Sequence, residues 1–330
     1  MTTVNISGIS TSQLLDDYRL SLEAMNRSKK TIAWYLEILD KYFTFLSLNS
    51  LLKPIDQMGS QELKAYILYL QNVHRWANCQ HIRKITGKLS PHSIQGHVRA
   101  IKAFWSWLKK EGYIANNALA LFPLPRAPDK PMNVFSLEQI RKLLTCIDRL
   151  TPRGVKYYTI ILLLLDTGIR ISELVHLKLE DLDLPHNCLR VMGKGQKHRV
   201  VPVSYLTRRE ITRYLTNIRP GLCSFQSPYL FPTPMGTPIS INSVQQALRR
   251  LAKTAGLKGI RCSPHTFRHT FATLSIVRGA NLFVLKEILG HSSLVTTMRY
   301  SHLQPEDIQV QHSKFSPVAF TFGMNLPETT

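Results

Sequence analysis

Apolar residues recur at every third or fourth position through most of the first 120 residues, which is the spacing of one face of a helix. Two series of such positions predict two long helices: Ile32, Leu36, Leu39, Phe43 and Leu46, then Ile94, Val98, Ile101, Trp105 and Leu108. Three helix beginnings are marked by serines. Ser10 with Gln13 forms a capping box, Ser60 opens a third helix, and Ser90 before Pro91 is an N-cap. The N-terminal segment is therefore predicted to be a group of four helices.

Four prolines interrupt the helical pattern after this segment: Pro123, Pro125, Pro128 and Pro131. That density forbids a helix and favours an extended linker, although a rigid loop within one domain would have the same composition. Ser136 with Gln139 then forms another capping box. These features predict a helical domain over 1–121, a linker over 122–134 and a second domain over 135–303.

The second domain is predicted to be mainly α with one small β element. Two short apolar runs, 188–192 and 200–203, flank a Gly-Lys-Gly-Gln-Lys-His segment, an arrangement typical of a hairpin. Helices are predicted at about 205–218, 241–255, 265–278, 281–289 and 293–301. The remaining tail, 304–330, is apolar enough either to dock on a neighbouring protomer or to fold back on its own domain.

The charge of the chain points to a polyanionic partner. The 42 Lys and Arg against 21 Asp and Glu give a net charge of +21 and a pI near 10. Residues 1–130 hold 17 basic against 9 acidic side chains, and residues 131–330 hold 25 against 12. Both halves are basic, so nucleic acid is the leading partner. Ribosomal or membrane-surface proteins match the charge but rarely carry this much globular pattern.

Other signals concern the compartment. The N-terminus shows no basic segment followed by an apolar stretch, so no signal peptide is visible. The longest aliphatic run, 160–165, is far below the ~20 residues that span a membrane. Five cysteines without a C-x-x-C pair indicate reduced thiols rather than a disulfide framework or a zinc site. We expect a cytoplasmic, nucleoid-associated protein without a membrane partner.

Six polar residues carry the candidate chemistry: Arg170, Lys194, His265, Arg268, His291 and Tyr300. Phosphoryl transfer needs charge neutralisation on the non-bridging oxygens, a nucleophile, and a proton for the leaving oxygen. Arginine suits the first role because its planar fork binds two oxygens and stays charged. The basic members of the set make a cradle for one phosphate, and the tyrosine is able to attack it.

The local strings around these residues are Thr167-Gly-Ile-Arg-Ile-Ser-Glu-Leu, Gly193-Lys-Gly-Gln-Lys-His-Arg, His265-Thr-Phe-Arg-His-Thr-Phe-Ala-Thr and Leu289-Gly-His-Ser-Ser. In this order, behind a basic helical domain and a proline linker, they resemble the tyrosine recombinases, or phage integrases, and within them the Xer-like site-specific recombinases. The resemblance covers about residues 10–303. It implies a four-helix core-binding (SAM-like) domain before an α-rich catalytic domain with a small β-hairpin.

The resemblance also implies a role for each site residue. Arg170 and Arg268 would clamp the scissile phosphate, and His291 would donate to one of its oxygens. His265 would bind the phosphate and help to move the proton of the nucleophile. Tyr300 would attack phosphorus, which leaves a 3′-phosphotyrosine and a free 5′-hydroxyl. This chemistry implies no cofactor and no obligatory metal.

Lys194 and Lys197 are rivals for one further role, protonation of the departing 5′-oxygen. The Gly-Lys-Gly context and a position 24 residues after Arg170 favour Lys194. Lys197 is then assigned to the DNA backbone.

Two neighbours of the cradle have less specific signals. Glu173 is expected to support the site by fixing an arginine or a histidine. His269 lies four residues after His265 and invites a zinc interpretation, but no Glu adjoins His265 and no cysteine pair supplies further ligands. His269 is therefore expected to pack against, or support, its own helix.

Further DNA contacts are expected from basic residues outside the cradle: Lys29, Lys30, Arg83, Lys84, Lys88, His92, Lys197 and Arg199. Three of them belong to a loop at 74–89 that is longer than the resemblance leads one to expect. This loop either reaches along the DNA backbone or is an ordinary solvated loop.

The expected partner is double-stranded DNA with specific recombination sites. The resemblance implies a homotetramer on two synapsed duplexes, with accessory DNA-bending or directionality factors as further partners. One alternative is a type IB topoisomerase, which uses nearly the same cradle to nick and reseal DNA. Another is a non-catalytic DNA-binding protein that keeps the fold, although an intact cradle argues against it.

Overall fold

Helices with aromatic faces build the first part of the molecule. The structure is a computed structural model, and it describes residues 10–72, 88–128, 133–193, 198–222, 226–298 and 300. The four helices of the N-terminal unit are α1 (Thr11–Ala24), α2 (Lys29–Leu48), α3 (Ser60–Asn72) and α4 (Pro91–Lys110). All four predicted helices are confirmed. Ser10 accepts the Gln13 N–H, and Ser90 accepts the N–H of Ser93.

The core of this unit is largely aromatic. The Tyr42 ring meets Tyr66 at 5.1 Å and Trp105 at 5.9 Å, both in edge-on orientations. Tyr18 packs edge-on against Phe104 at 5.1 Å and so joins α1 to α4. The apolar series read from the sequence supply this core, since Leu39, Leu46, Val98, Ile101 and Leu108 are fully buried.

Two phenylalanines bracket the proline-rich segment. Phe122 packs on the N-terminal core, and Gln95 donates to the carbonyl of Pro125 at 2.7 Å. Phe135 is buried in the second core, where it packs on Phe267. The chain divides into two compact units, residues 1–130 and residues 131–330. The described prolines lie in non-helical chain, as their density predicts.

The C-terminal unit is helical around one small sheet. Its helices are α5 (Leu137–Thr145), α6 (Pro152–Thr167), α7 (Ile171–His176), α8 (Tyr205–Arg213), α9 (Ile241–Thr254), α10 (Pro264–Val277), α11 (Leu282–Leu289) and α12 (Leu294–Met298). The sheet has antiparallel strands β1 (Leu182–Asp183), β2 (Cys188–Met192) and β3 (His198–Pro202), in that order. The predicted hairpin is confirmed. Strand β1 was not predicted, because two residues carry no periodic signal.

Helix α6 forms the centre of the second core and packs against α10. Its residues Ile160, Ile161, Leu163 and Leu164 are fully buried. Buried side chains on all sides of α6 explain why its apolar run shows no helical period.

The predicted helix at 205–218 differs in its last part, where α8 passes into a π-helical turn at Tyr214–Ile218.

Among the residues described, no helix is both long and apolar enough to cross a membrane.

Candidate active site

The turn that follows α6 positions Arg170. Gly168 ends that helix with a left-handed φ of 59°, a conformation open to glycine. Arg170 is the N-cap residue of α7, and its backbone N–H donates to Glu173 at 2.8 Å. Its Nη1 donates to the same carboxylate at 2.9 Å, and its Nη2 donates to the Gly290 carbonyl at 3.1 Å. The side chain stays 36% exposed, so it is accessible to a ligand.

Glu173 is the carboxylate on which two arginines converge. Arg199 binds it bidentately, with Nη1 to Oε1 at 3.0 Å and Nη2 to Oε2 at 2.8 Å. Burial raises the pKa of Glu173, but the hydrogen bonds from Arg199 and Arg170 and the charge of Arg199 outweigh burial. The pKa therefore lies below its ordinary value, and the carboxylate is ionised. The expectation that Glu173 fixes an arginine agrees with this geometry.

Arg199 lies inside the site in this structure. Its side chain is only 12% exposed, and Nε donates to the Ile288 carbonyl at 2.8 Å. A Cβ added to Gly290 would lie 3.0 Å from the Arg199 guanidinium, so glycine permits this close approach. Its guanidinium joins β3 to α7 and to the end of α11. The assignment of Arg199 to DNA stays a prediction.

Arg268 ties together the ends of two helices. Nη1 donates to the carbonyl of Gly168 at 2.8 Å, and Nη2 donates to the carbonyl of Leu289 at 2.7 Å. Both carbonyls stand at helix C-termini, where a cation is electrostatically favoured. The residue is 5% exposed. Burial, aided by the charge of Arg170, lowers the pKa of Arg268 to about 10, so it remains charged at neutral pH.

His291 follows α11 and is buried beside the arginines. Its Nδ1 lies 2.9 Å from the Thr297 hydroxyl, and Thr297 is itself fully buried. Burial and the charges of Arg268 and Arg170 lower the pKa of His291 to about 4. The imidazole is therefore neutral at pH 7 and holds one N–H.

Tyr300 enters the same cluster from the segment after α12. Its ring is 7% exposed and stacks on His291, with centroids 6.3 Å apart and planes 9° apart. Its hydroxyl lies 2.9 Å from Nδ1 of His269. Tyr300 therefore lies between two imidazoles and a small apolar cluster that includes Ile276 and Leu289.

His265 lies one helical turn before His269, on the same face of α10. The two ring centroids are 6.4 Å apart, and His265 is exposed. It therefore lies at the exposed rim of the cluster.

The remaining predicted residues lie elsewhere. Lys194, Lys197, Arg83 and Lys84 fall outside the described residues. Lys29, Lys30, Lys88 and His92 are exposed and belong to the N-terminal unit. Their assignment to DNA stays a prediction.

Three residues of the cluster were missed or assigned differently from the sequence: His269, Thr297 and Arg199. The sequence places His269 beside Arg268 on a helix. Helical spacing does not predict which residue from a later segment of the chain contacts the face on which His269 lies. Thr297 gave no signal, because a single threonine in a short helix is common. For Arg199, the strand alternation of the hairpin was a usable signal, since Val201, on the same side, is buried.

The charges of the cluster favour an anionic ligand. Three guanidinium groups (Arg170, Arg199 and Arg268) face one carboxylate, that of Glu173, which leaves two positive charges unbalanced. Mutual repulsion contributes to the lowered pKa of Arg268 and of His291. A phosphate bound near Arg170 would relieve that repulsion.

Comparisons with known families identify what the chain is similar to. Residues 133–307 match the model of the Phage integrase family, and residues 14–115 match the Phage integrase, N-terminal SAM-like domain. The tyrosine recombinase XerD of Staphylococcus aureus (strain Mu50 / ATCC 700699) is 31% identical over 294 residues, covering 86% of this chain and 99% of that protein. XerD of Listeria innocua serovar 6a is 25% identical and covers 93% of this chain and 100% of its own.

Solved structures share the fold. The Tn1549 transposon integrase in complex with a circular intermediate DNA has a TM-score of 0.70 at 22% identity and covers 92% of this chain and 99% of its own. The XerH site-specific recombinase bound to difH substrate in a pre-cleavage complex has a TM-score of 0.65 at 21% identity. The match covers 92% of this chain and 84% of the XerH chain.

Proposed function

The chain belongs to the phage integrase family and is a site-specific tyrosine recombinase, and on that premise we propose that Tyr300 is the nucleophile that cleaves DNA. Enzymes of this kind cleave and rejoin DNA strands through a phosphotyrosine intermediate. The observation that carries the assignment is that Tyr300 is buried, has its hydroxyl 2.9 Å from Nδ1 of His269, and interacts electrostatically with the Arg268 guanidinium. An unperturbed phenol has a pKa near ~10, so attack at neutral pH needs such surroundings.

In the cleavage step, the Tyr300 oxygen attacks phosphorus and the 5′-oxygen departs. Arg170 and Arg268 neutralise the non-bridging oxygens as negative charge builds up. The energy of the phosphodiester is kept in the covalent link, so a 5′-hydroxyl from another strand reverses the step without nucleotide hydrolysis. Lys194 supplies the proton of the leaving oxygen, and Lys197 binds the backbone.

The neutral histidines complete the cradle. His291 donates from Nε2 to a phosphate oxygen while its Nδ1 accepts from the Thr297 hydroxyl, 2.9 Å away. This hydrogen bond would fix the tautomer that the donor role requires. His265 binds the phosphate from the exposed rim.

The partner is DNA, and both units contribute to its binding. The charge of residues 1–130 and of residues 131–330 supports contact by each, and related recombinases are solved with DNA. We propose a core-binding domain over 1–121, a linker over 122–134 and a catalytic domain over 135–303. The protein would act beside the chromosome, as a homotetramer on two synapsed sites, with the tail 304–330 as a protomer contact and with accessory factors that bend DNA or set direction.

A strand-exchange assay tests this function. Randomly nicked fragments of host DNA would be incubated with the purified protein, and the fragments held covalently would be recovered and sequenced to find the site. Two labelled duplexes with that site should then give hybrid products. Relaxation of a supercoiled plasmid without any hybrid product would favour the topoisomerase alternative, and the absence of any covalent adduct would favour a non-catalytic DNA-binding protein.

A further inference from the structure

A histidine that the site prediction did not include lies within hydrogen-bonding distance of the Tyr300 oxygen. Nδ1 of His269 lies 2.9 Å from the Tyr300 hydroxyl, within hydrogen-bonding distance. The ring centroids are 5.6 Å apart with planes at 46°, so the imidazole meets the edge of the phenol where its oxygen lies. The ring of His291 is nearly parallel to the same phenol, with planes 9° apart and centroids 6.3 Å apart.

We propose that His269 is a catalytic residue of the cleavage step, the general base that receives the proton of Tyr300. This inference rests on the proposed function, since it requires Tyr300 to be the nucleophile. It assigns to His269 the proton transfer that was expected of His265.

The other histidines are less well placed for that transfer. Nδ1 of His291 is engaged with Thr297, and its ring is parallel to the phenol with the centroids 6.3 Å apart. His265 is exposed at the rim, 6.4 Å from His269 between ring centroids. A general base must lie within ~2.6–3.2 Å of the proton donor or reach it through one water, and the contact of His269 with the Tyr300 oxygen meets that distance directly.

The surroundings keep His269 able to accept a proton. It is half-buried on α10, with His265 and Arg268 on the same helix, and it faces Tyr300 from the segment after α12. Burial, His265 and Arg268 lower the pKa of His269 below its ordinary value. The imidazole is therefore neutral at pH 7, with Nδ1 as acceptor and the hydrogen on Nε2 when Tyr300 donates.

The proposed step balances without a further reactant. The Tyr300 oxygen forms a bond to phosphorus while its proton passes to Nδ1 of His269, and the bond from phosphorus to the 5′-oxygen breaks. The negative charge that develops on the leaving oxygen is neutralised by a proton from Lys194, as proposed above. In rejoining, the 5′-hydroxyl attacks the phosphotyrosine and gives its proton to the neutral Lys194. The bond from phosphorus to the Tyr300 oxygen breaks, and the imidazolium of His269 returns its proton to the departing phenolate.

The test compares three full-length variants, His269→Ala, His269→Gln and His265→Ala, in covalent capture of the nicked host fragment identified with the wild type. We expect His269→Ala to slow capture at pH 7 by ~100-fold or more, the usual contribution of a general base. Gln offers an oxygen that accepts the Tyr300 hydrogen bond but does not take its proton. His269→Gln should therefore be as slow as His269→Ala, whereas recovery to near wild-type rate would reduce His269 to a positioning residue.

A more acidic nucleophile provides the second arm. Replacing Tyr300 by difluorotyrosine, whose phenol ionises more easily, should restore much of the rate of His269→Ala, because an ionised phenol needs no base. It should do little for His265→Ala. The capture rate of His269→Ala should also rise ~10-fold per pH unit below the phenol pKa, where hydroxide replaces the base.

The outcomes separate the two claims. Two results would overturn the role of His269 and leave the proposed function standing. In the first, difluorotyrosine restores the capture rate of His265→Ala alone. In the second, His269→Ala captures DNA at the wild-type rate with its DNA affinity intact. If His269→Ala loses DNA binding or the circular-dichroism spectrum of the folded protein, the His269→Gln variant with difluorotyrosine at position 300 decides. If difluorotyrosine does not restore its capture rate, the inference is overturned. A wild-type protein that forms no covalent adduct overturns both.

Discussion

Arg268 joins two helix ends, and in the proposed function it also neutralises the phosphate. Its guanidinium satisfies two helix-terminal carbonyls, those of Gly168 and Leu289, and so fixes the ends of α6 and α11. The same contacts hold the charge where a phosphate would bind. An arginine in this position needs no reorganisation when negative charge develops, which is the source of electrostatic catalysis.

At the residue scale, Thr297→Val tests how His291 is held. Valine keeps the shape but removes the hydroxyl, so Nδ1 of His291 is left unsatisfied or changes tautomer. We expect DNA cleavage to slow by ~10-fold while DNA affinity changes little. Thr297→Ser restores a hydroxyl and is the matched control. Equal rates for the valine and serine variants would show that the hydroxyl does not set the tautomer.

The two hairpin lysines call for a separate experiment. If Lys194 protonates the 5′-oxygen, a substrate with bridging sulfur at that position should rescue Lys194→Ala, because a thiolate leaves without a proton. Lys197→Ala should show weaker, salt-sensitive binding and no rescue. Single-turnover cleavage of the two substrates measures both effects, and rescue confined to the 197 variant would exchange the two roles.

At the element scale, the turn after α6 depends on glycine. A Cβ on Gly168 would lie 2.4 Å from Cδ1 of Phe271 and 2.9 Å from Cδ2 of Leu289, at a φ of +59°. Gly256 has a similar φ of +66° with nothing within 4 Å of such a Cβ. Gly256→Ala therefore isolates backbone strain, and it should lower the free energy of unfolding by about 1–2 kcal/mol. Gly168→Ala should lower it by roughly 1–3 kcal/mol more, because the added methyl group overpacks the site.

Unfolding in urea, followed by two signals, measures this difference. All four tryptophans lie in residues 1–130, so tryptophan fluorescence reports only the first unit. Both glycine variants should leave that transition unchanged and shift the circular-dichroism transition of the second unit, Gly168→Ala by more. Equal shifts would mean that Phe271 and Leu289 move aside at little cost.

Elements could be predicted from the sequence wherever a period or a cap repeats. The faces of α2 and α4 and the capping box of Ser136 with Gln139 are local signals, and the structure bears them out. The buried helix α6 has no polar face to reveal its period. The contacts of His269 with Tyr300 and of Arg199 with Glu173 join distant segments, so no local pattern contains them.

At the scale of the whole molecule, two basic units joined by a proline-rich segment should close around DNA as a clamp. Each unit has its own core, and the net charges are +8 for residues 1–130 (17 against 9) and +13 for residues 131–330 (25 against 12). Fragments cut near Asp129 should each bind DNA weakly with a steep salt dependence, and the joined chain far more tightly, because linkage raises the effective concentration.

Filter-binding or fluorescence titrations of both fragments at several salt concentrations check the clamp. The intact chain serves as the reference at each concentration. An N-terminal fragment without DNA affinity even at low salt would require another role for residues 1–121.

The most direct test of the whole account is the chemical identity of the DNA–protein link. The protein would be captured on nicked host DNA, digested with protease and nuclease, and the nucleotide-bearing peptide sequenced by mass spectrometry. The account predicts a phosphotyrosine at Tyr300, joined to the 3′ side of the break, and no adduct for Tyr300→Phe although that variant still binds DNA. A nucleotide attached to any other residue, or an undiminished adduct in Tyr300→Phe, would contradict it.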